Sequence, residues 1–105
     1  MNLKQPFVHH VYFWLADTQN KEAKEALQKG LEKISSIPTI QLFHIGTPAD
    51  TNREVIDTSY TFSWLAIFNN KEDEEMYQTH PTHLQFVEEC KHLWKKVLVY
   101  DSVSV

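Results

Sequence analysis

The sequence predicts a single α+β domain, residues 1–105, in which two β-α-β units share one sheet that is covered by helices on one face. Three observations support this prediction. Stretches rich in aromatic and β-branched residues alternate with amphipathic stretches in the order β-α-β, β-α-β. The chain has 105 residues, of which 42% are hydrophobic, as in one globular domain. Its two glycines and four prolines are too few for a disordered chain or a small turn-rich barrel.

The first β-α-β unit begins with residues 7–16 (FVHHVYFWLA), whose aromatic and β-branched side chains predict a strand. From residue 20 to residue 35 the apolar residues recur at the spacing of one helical face: Ala23, Ala26, Leu27, Leu31 and Ile34. Gly30 lies beside that face, where it permits close backbone approach or leaves a void. Residues 39–45 (TIQLFHI) are predicted to form the second strand.

The second unit follows a polar loop. Its strand is predicted at residues 59–68 (SYTFSWLAIF), and an acidic helical segment follows at residues 71–77. The last helix is predicted from Pro81 to Lys95, because proline suits the first position of a helix. The final strand is predicted at residues 96–100, and a short tail follows it.

Both faces of the predicted strands are largely apolar, and this pattern predicts a dimer. Helices can cover one face of a four-stranded sheet. The second face, to which we assign Phe13, Leu15, Leu65 and Ile67, needs another cover. A second copy of the same sheet is the simplest cover and gives a two-fold homodimer through the sheet faces. The predicted fold is therefore a ferredoxin-like split βαβ sandwich that forms a dimeric α/β barrel.

Charge and cysteine content exclude several functional classes. The net charge of −4, without a basic stripe, argues against nucleic acid or an anionic membrane as a partner. The single cysteine, Cys90, excludes an internal disulfide and is interpreted as a buried core thiol. The acidic run at residues 71–75 is interpreted as a solvated helical turn without a function. Because the sequence shows no leader and no long apolar run, we expect a cytoplasmic protein.

Five short motifs occur in the order expected of one known family. They are VHHV at residues 8–11, Ile37-Pro38, Tyr60 in the third strand, Tyr77-x-x-His80-Pro81-Thr82-His83, and LVYD at residues 98–101. Together they resemble the Dabb family, the stress-responsive dimeric α/β-barrel domain, over nearly the whole chain. The resemblance implies the same fold and the same dimer. It also implies cofactor-free chemistry, because a plant polyketide cyclase of this family performs an aldol cyclisation without a cofactor.

The resemblance maps three catalytic roles onto this chain. A strand histidine, a tyrosine and the second histidine of the block correspond to His10, Tyr77 and His83, whereas His80 is implied to be structural. Thr79 or His80 would cap the last helix. His83 would lie in the first helical turn, where the positive end of the helix dipole keeps the imidazole neutral and suited to a general base. Tyr77 would donate a hydrogen bond to a developing oxyanion, and His10 would support either partner.

A small apolar pocket is expected between the helices and the sheet, beside these three residues. Its expected ligand-binding residues are Tyr12, Trp14, Leu27, Gly30, Trp64 and Trp94. On this interpretation His10, Tyr12 and Trp14 all point from the first strand towards the helices. If the tryptophans filled this space, no substrate could enter.

Three functional hypotheses remain open from the sequence. The first is proton abstraction next to a carbonyl group of a small compound, without a cofactor. The second is binding of a small-molecule ligand without turnover, or a scaffold role, with the three polar residues forming a buried network. The third is a cofactor-free monooxygenase. No metal site is expected, because Pro81 separates His80 from His83 and no carboxylate is spaced with them.

Overall fold

The computed structural model describes residues 5–105, which form a four-stranded antiparallel sheet with the helices packed on one face. The elements in chain order are β1 Phe7–Leu15, α1 Lys21–Ile34, β2 Ile40–Gly46, β3 Phe62–Phe68, α2 Lys71–Thr79, α3 Pro81–Cys90, a 3₁₀ turn Lys91–Leu93, and β4 Trp94–Val103. The strand order β2-β3-β1-β4 is that of the ferredoxin-like fold, so the predicted fold class is confirmed. Residues 1–4 lie outside the described residues. The expectation of no leader concerns these residues in part.

Strand β1 occupies the centre of the sheet and alternates strictly between two environments. Its odd-numbered residues are buried, with Phe13 at 3% and Leu15 at 0% exposure, whereas its even-numbered residues are half-buried. Side chains directly opposite on neighbouring strands share a face, and the helix-side partner of Val11 is Trp64 on β3. The assignment of Phe13 and Leu15 to the uncovered face is therefore wrong. Leu65 and Ile67 do lie on that face, since they pair with His10 and Val8.

The end of α3 and the start of β4 differ from the prediction. α3 ends at Cys90 rather than Lys95, and Trp94 begins a strand instead of continuing the helix. The cause is pairing with β1: Trp94 lies opposite Leu15, and the N–H of Ala16 donates to the carbonyl of Leu93 at 2.8 Å. Strand β4 then continues into the predicted tail as far as Val103, which pairs with Phe7.

Local signals fix where the helices begin. The side chain of Asn20 accepts a hydrogen bond from the N–H of Ala23 and caps α1. Leu27, Leu31 and Ile34 form the buried face of this helix, as the spacing predicts. No helix within residues 5–105 is long and apolar enough to cross a membrane.

Candidate functional site

A cavity of about 170 Å³ lies between the sheet and helices α2 and α3. Its polar lining comes from His9, Tyr77, Gln78 and His83, and its apolar lining includes Trp64, Phe86 and Trp94. Trp64 is fully buried and Trp94 forms part of the wall, but neither closes the space. An open cavity is therefore present beside His83, as expected, and it is smaller than the roughly 300–1,000 Å³ of drug-sized sites.

His83 lies in the first turn of α3 and is oriented by the end of α2. Its Nδ1 is 2.9 Å from the backbone carbonyl oxygen of Gln78. A carbonyl can only accept a hydrogen bond, so Nδ1–H donates and Nε2 is left with a free lone pair. Burial lowers the pKa of His83 below its usual value, although the hydrogen bond to Gln78 opposes this effect. The ring is therefore neutral near pH 7, as the helix-dipole argument predicts, but burial is the main cause.

Tyr77 lies beneath His83 and contacts it directly. The two ring centroids are 4.4 Å apart, and Tyr77 is 3% exposed. Burial, reinforced by the nearby carboxylates of Glu74 and Asp101, raises the pKa of Tyr77 far above its usual value, so the hydroxyl keeps its proton. Within residues 5–105 this hydroxyl has no hydrogen-bond partner, and it is not among the fully enclosed polar atoms without one. Tyr77 is one of the residues that line the cavity.

His9 completes the polar side of the cavity. Its ring centroid is 5.6 Å from that of Tyr77, and its Nδ1 is 2.6 Å from Oδ1 of Asp101 on β4. Because a carboxylate only accepts hydrogen bonds, Nδ1–H donates and Nε2 is the nitrogen left for a ligand. His9 is buried, whereas the Asp101 side chain is 44% exposed. The hydrogen bond to Asp101 fixes the orientation of the His9 ring at the cavity wall.

His10 lies on the opposite face of the sheet, so its predicted orientation towards the helices is wrong. It stacks on Tyr12 at 4.6 Å, and Tyr12 in turn contacts Tyr60 and Tyr100. The physical reason is the alternation of β1, which directs neighbouring side chains to opposite faces. Burial and the nearby His44 and His9 lower the pKa of His10. The structure thus brings together Tyr77 and His83 of the predicted trio and separates His10 from them.

Four of the six predicted ligand-binding residues do not line this cavity. Tyr12 and Trp14 lie on the uncovered face, where they border a second depression of about 310 Å³. Trp14 is held there by a hydrogen bond from Nε1 to Ser59 Oγ at 3.1 Å and by Lys96 Nζ above its ring. Leu27 is fully buried in the core, and Gly30 packs against α3. Trp64 and Trp94 do line the cavity, as predicted.

Glu74 departs from the interpretation of the acidic run as fully solvated. It is 7% exposed, and its Oε2 accepts a hydrogen bond from Nε2 of Gln78 at 2.6 Å. Gln78 is the residue whose carbonyl orients His83. The Glu74 carboxylate therefore stabilises the last turn of α2, whose Gln78 carbonyl orients His83.

The remaining histidines have structural or exposed positions. Nδ1 of His80 accepts a hydrogen bond from the N–H of Thr82 and caps α3, as predicted for His80. His44 and His92 are exposed, as expected. Across the part of the chain that the structure describes, no three His, Cys, Asp or Glu side chains are grouped as metal ligands would be.

Sequence comparison identifies the family. Residues 7–104 match the domain described as the Stress responsive A/B Barrel Domain, Dabb. The chain belongs to the Dabb family. No curated protein matches this Dabb chain in sequence.

Solved structures similar to this Dabb chain include proteins from plants and bacteria. At3g17210 from Arabidopsis thaliana is 30% identical, with a TM-score of 0.75 over 94% of this chain and 99% of that one. A dimeric ferredoxin-like protein of unknown function from Thermobifida fusca is 17% identical, with a TM-score of 0.78 over 99% and 96%. A hydroxynitrile lyase from Passiflora edulis is 16% identical, with a TM-score of 0.78 over 95% and 94%. The two less identical structures establish a shared fold.

Two residues at the site of this Dabb chain, His9 and Asp101, were not predicted from the sequence. His9 could have been found from β1 itself, because Phe7, Val11, Phe13 and Leu15 are apolar throughout, whereas Tyr12 and Trp14 carry polar atoms. The purely apolar set is the better candidate for the helix side, and His9 belongs to it. Asp101 had no comparable signal, because its position depends on β4 extending beyond residue 100.

Proposed function

We propose that this Dabb chain removes a proton from the carbon next to a carbonyl group of a small compound, using its own side chains. One observation carries the proposal. His83, a neutral imidazole with a free Nε2, contacts Tyr77, a protonated tyrosine, at the wall of a small cavity. This combination supplies a base for the proton and a donor for the oxygen that becomes negative.

His83 acts as the base in this proposal. Its Nε2 takes the proton from the carbon, and the electron pair of the broken C–H bond forms the carbon–carbon double bond of an enolate. Its Nδ1–H stays on the Gln78 carbonyl throughout, which holds the ring plane fixed. Burial favours this role, since it lowers the pKa of His83 and leaves the base unprotonated at neutral pH.

Tyr77 donates a hydrogen bond from its hydroxyl to the enolate oxygen. Its raised pKa keeps the proton on Tyr77 throughout, so the hydroxyl acts only as a hydrogen-bond donor. The cavity is largely apolar, which strengthens a hydrogen bond to a charged oxygen.

His9 takes the supporting role that the sequence assigned to His10. With Nδ1–H held by Asp101, Nε2 of His9 is the nitrogen left to form a hydrogen bond with the substrate. The second imidazole of the site thus belongs to a histidine–carboxylate pair.

The size of the cavity limits the substrate. Its volume is about 170 Å³, below the roughly 300–1,000 Å³ of drug-sized sites. Small ketones and aldehydes fit this volume.

Exchange of carbon-bound hydrogen for deuterium tests the reaction without knowledge of the natural substrate. Acetone and cyclohexanone are incubated with the protein in D₂O, and NMR follows the loss of protons next to the carbonyl. We expect exchange above the buffer rate, and we expect His83→Gln to reduce it on the order of 10²- to 10⁴-fold. His92→Gln, which changes an exposed histidine, is the matched control and should leave the rate unchanged.

Other outcomes of this assay would contradict the proposal. If neither ketone exchanges although both shift the indole signals of Trp64 and Trp94, the chain binds small carbonyl compounds without turnover. If His83→Gln exchanges as fast as the wild type, His83 is not the base. No contact described in the cavity favours a monooxygenase reaction. That hypothesis stays a prediction.

We also propose that a second copy of the chain covers the open face of the sheet. That face carries Leu42 at 45% and Tyr100 at 60% exposure, together with the half-buried Tyr12, Trp14 and Leu65. An apolar and aromatic sheet face of this extent is typical of an interaction surface. The dimeric ferredoxin-like protein from Thermobifida fusca, which shares the fold, is consistent with this assembly.

A further inference from the structure

We infer that Gly30 sets the size of the cavity by leaving room for the ring of Phe86, and so selects the carbonyl compounds that enter. The inference deepens the proposed function and rests on it for the identity of the reaction. Its structural part, the link between Gly30 and the cavity volume, stands on packing alone.

Gly30 is present for space rather than for backbone conformation. No described glycine has a positive φ, so any residue could adopt the helical conformation at this position of α1. A Cβ atom at Gly30 would lie 2.8 and 2.9 Å from two ring carbons of Phe86, and 3.0 Å from Sγ of Cys90. These distances are shorter than van der Waals contact, so the ring occupies space that any other residue would fill.

The Phe86 ring separates Gly30 from the cavity. Phe86 lines the cavity on one side and meets Gly30 on the other. It also packs against Phe13 at 6.3 Å and stacks on Trp94 at 5.8 Å and on His83 at 6.5 Å between ring centroids. With Phe13 and Trp94 on the sheet side, the cavity offers the ring the nearest free space.

A side chain at Gly30 would therefore push Phe86 into the cavity. A cavity of about 170 Å³ has little volume to lose, and the displaced ring would lie beside His83. Gly30 thus acts on the substrate through Phe86, without contacting it. A substitution at Gly30 should therefore slow the reaction of a larger carbonyl compound more than that of a smaller one.

Gly30→Ala tests this inference in crystals and in solution. Xenon, which occupies apolar cavities, is introduced into crystals of the wild type and the variant under gas pressure. We expect xenon in the wild-type cavity, and we expect lower occupancy and a shifted Phe86 ring in the variant. In the deuterium-exchange assay, Gly30→Ala should slow cyclohexanone about tenfold relative to acetone, and Gly30→Ala with Phe86→Leu should restore cyclohexanone.

Lys29→Ala, an exposed change on the same helix, is the control for the effect of alanine on α1 and should leave both measurements unchanged. If α1 and α3 instead move apart and xenon occupancy is unchanged, the inference is wrong. It is also wrong if both ketones slow equally. If the wild type exchanges neither ketone but xenon occupancy falls in Gly30→Ala, the proposed reaction fails while the control of cavity size by Gly30 is upheld.

Discussion

At the scale of single residues, the chemistry of the cavity depends on which nitrogen of each histidine is free. Nδ1 of His83 is held by a carbonyl and Nδ1 of His9 by a carboxylate, so Nε2 is the free atom in both rings. Tyr77 lies between them, with ring centroids 4.4 Å from His83 and 5.6 Å from His9. Two oriented imidazole rings and one tyrosine therefore line one small apolar space.

The lowered pKa values of His83 and His10 predict how stability changes with pH. Burial, the largest cause for both, makes the folded protein bind these protons less tightly than the unfolded chain does. As pH falls through the unfolded value of about 6.5, the unfolded state takes up more protons, so the free energy of unfolding decreases. Conversely, the free energy of unfolding increases as pH rises, and it becomes constant once the pH is above the unfolded pKa.

Thermal unfolding measured between pH 5 and pH 7.5 tests whether stability rises or falls with pH. We expect a lower melting temperature at pH 5 than at pH 7.5, and a weaker dependence when both histidines are replaced by glutamine. A melting temperature that rises on acidification over this range would mean that these rings are stabilised in their charged form.

At the scale of elements, the join between α2 and α3 builds most of the site. His80 ends α2 and caps α3, Pro81 fills the first helical position, and His83 is thereby placed one turn from the Gln78 carbonyl. These features could be predicted from the sequence because they depend on local rules for caps and proline. The block from Tyr77 to His83 is a local unit, and local reasoning was sufficient for it.

The other half of the site depends on pairing between distant strands, and sequence reasoning failed there. The orientation of His9 or His10 towards the helices is decided by one residue of register in β1, and both sets of alternating side chains are apolar enough to be buried. The position of Asp101 requires β4 to pair with β1 beyond the predicted end of the strand. For Asp101 no local signal exists, whereas for His9 the only local signal is the purely apolar character of the other buried residues of β1.

At the scale of the whole molecule, the open sheet face provides a test of assembly. The wild type should sediment as a dimer at micromolar concentration. Leu98→Glu, which puts a charge on this face beside Tyr12, should give a monomer, because burying an unpaired carboxylate is costly. Val55→Glu, at a position that is 82% exposed outside the sheet, is the matched control and should remain a dimer.

A wild-type monomer at that concentration, or a dimer unaffected by Leu98→Glu, would show that the sheet face is not the interface. A cytoplasmic location stays a prediction, since nothing in the fold bears on it.

The central claim is that the reacting groups lie on the helix side of the sheet, with His9 rather than His10. Deuterium exchange of acetone, compared between His9→Gln and His10→Gln, tests it most directly, because the two changes are identical in chemistry and adjacent in sequence. We predict that His9→Gln slows exchange about tenfold or more, while His10→Gln, checked to be the same oligomer as the wild type, retains the wild-type rate. Loss of exchange in His10→Gln with retention in His9→Gln would contradict the account.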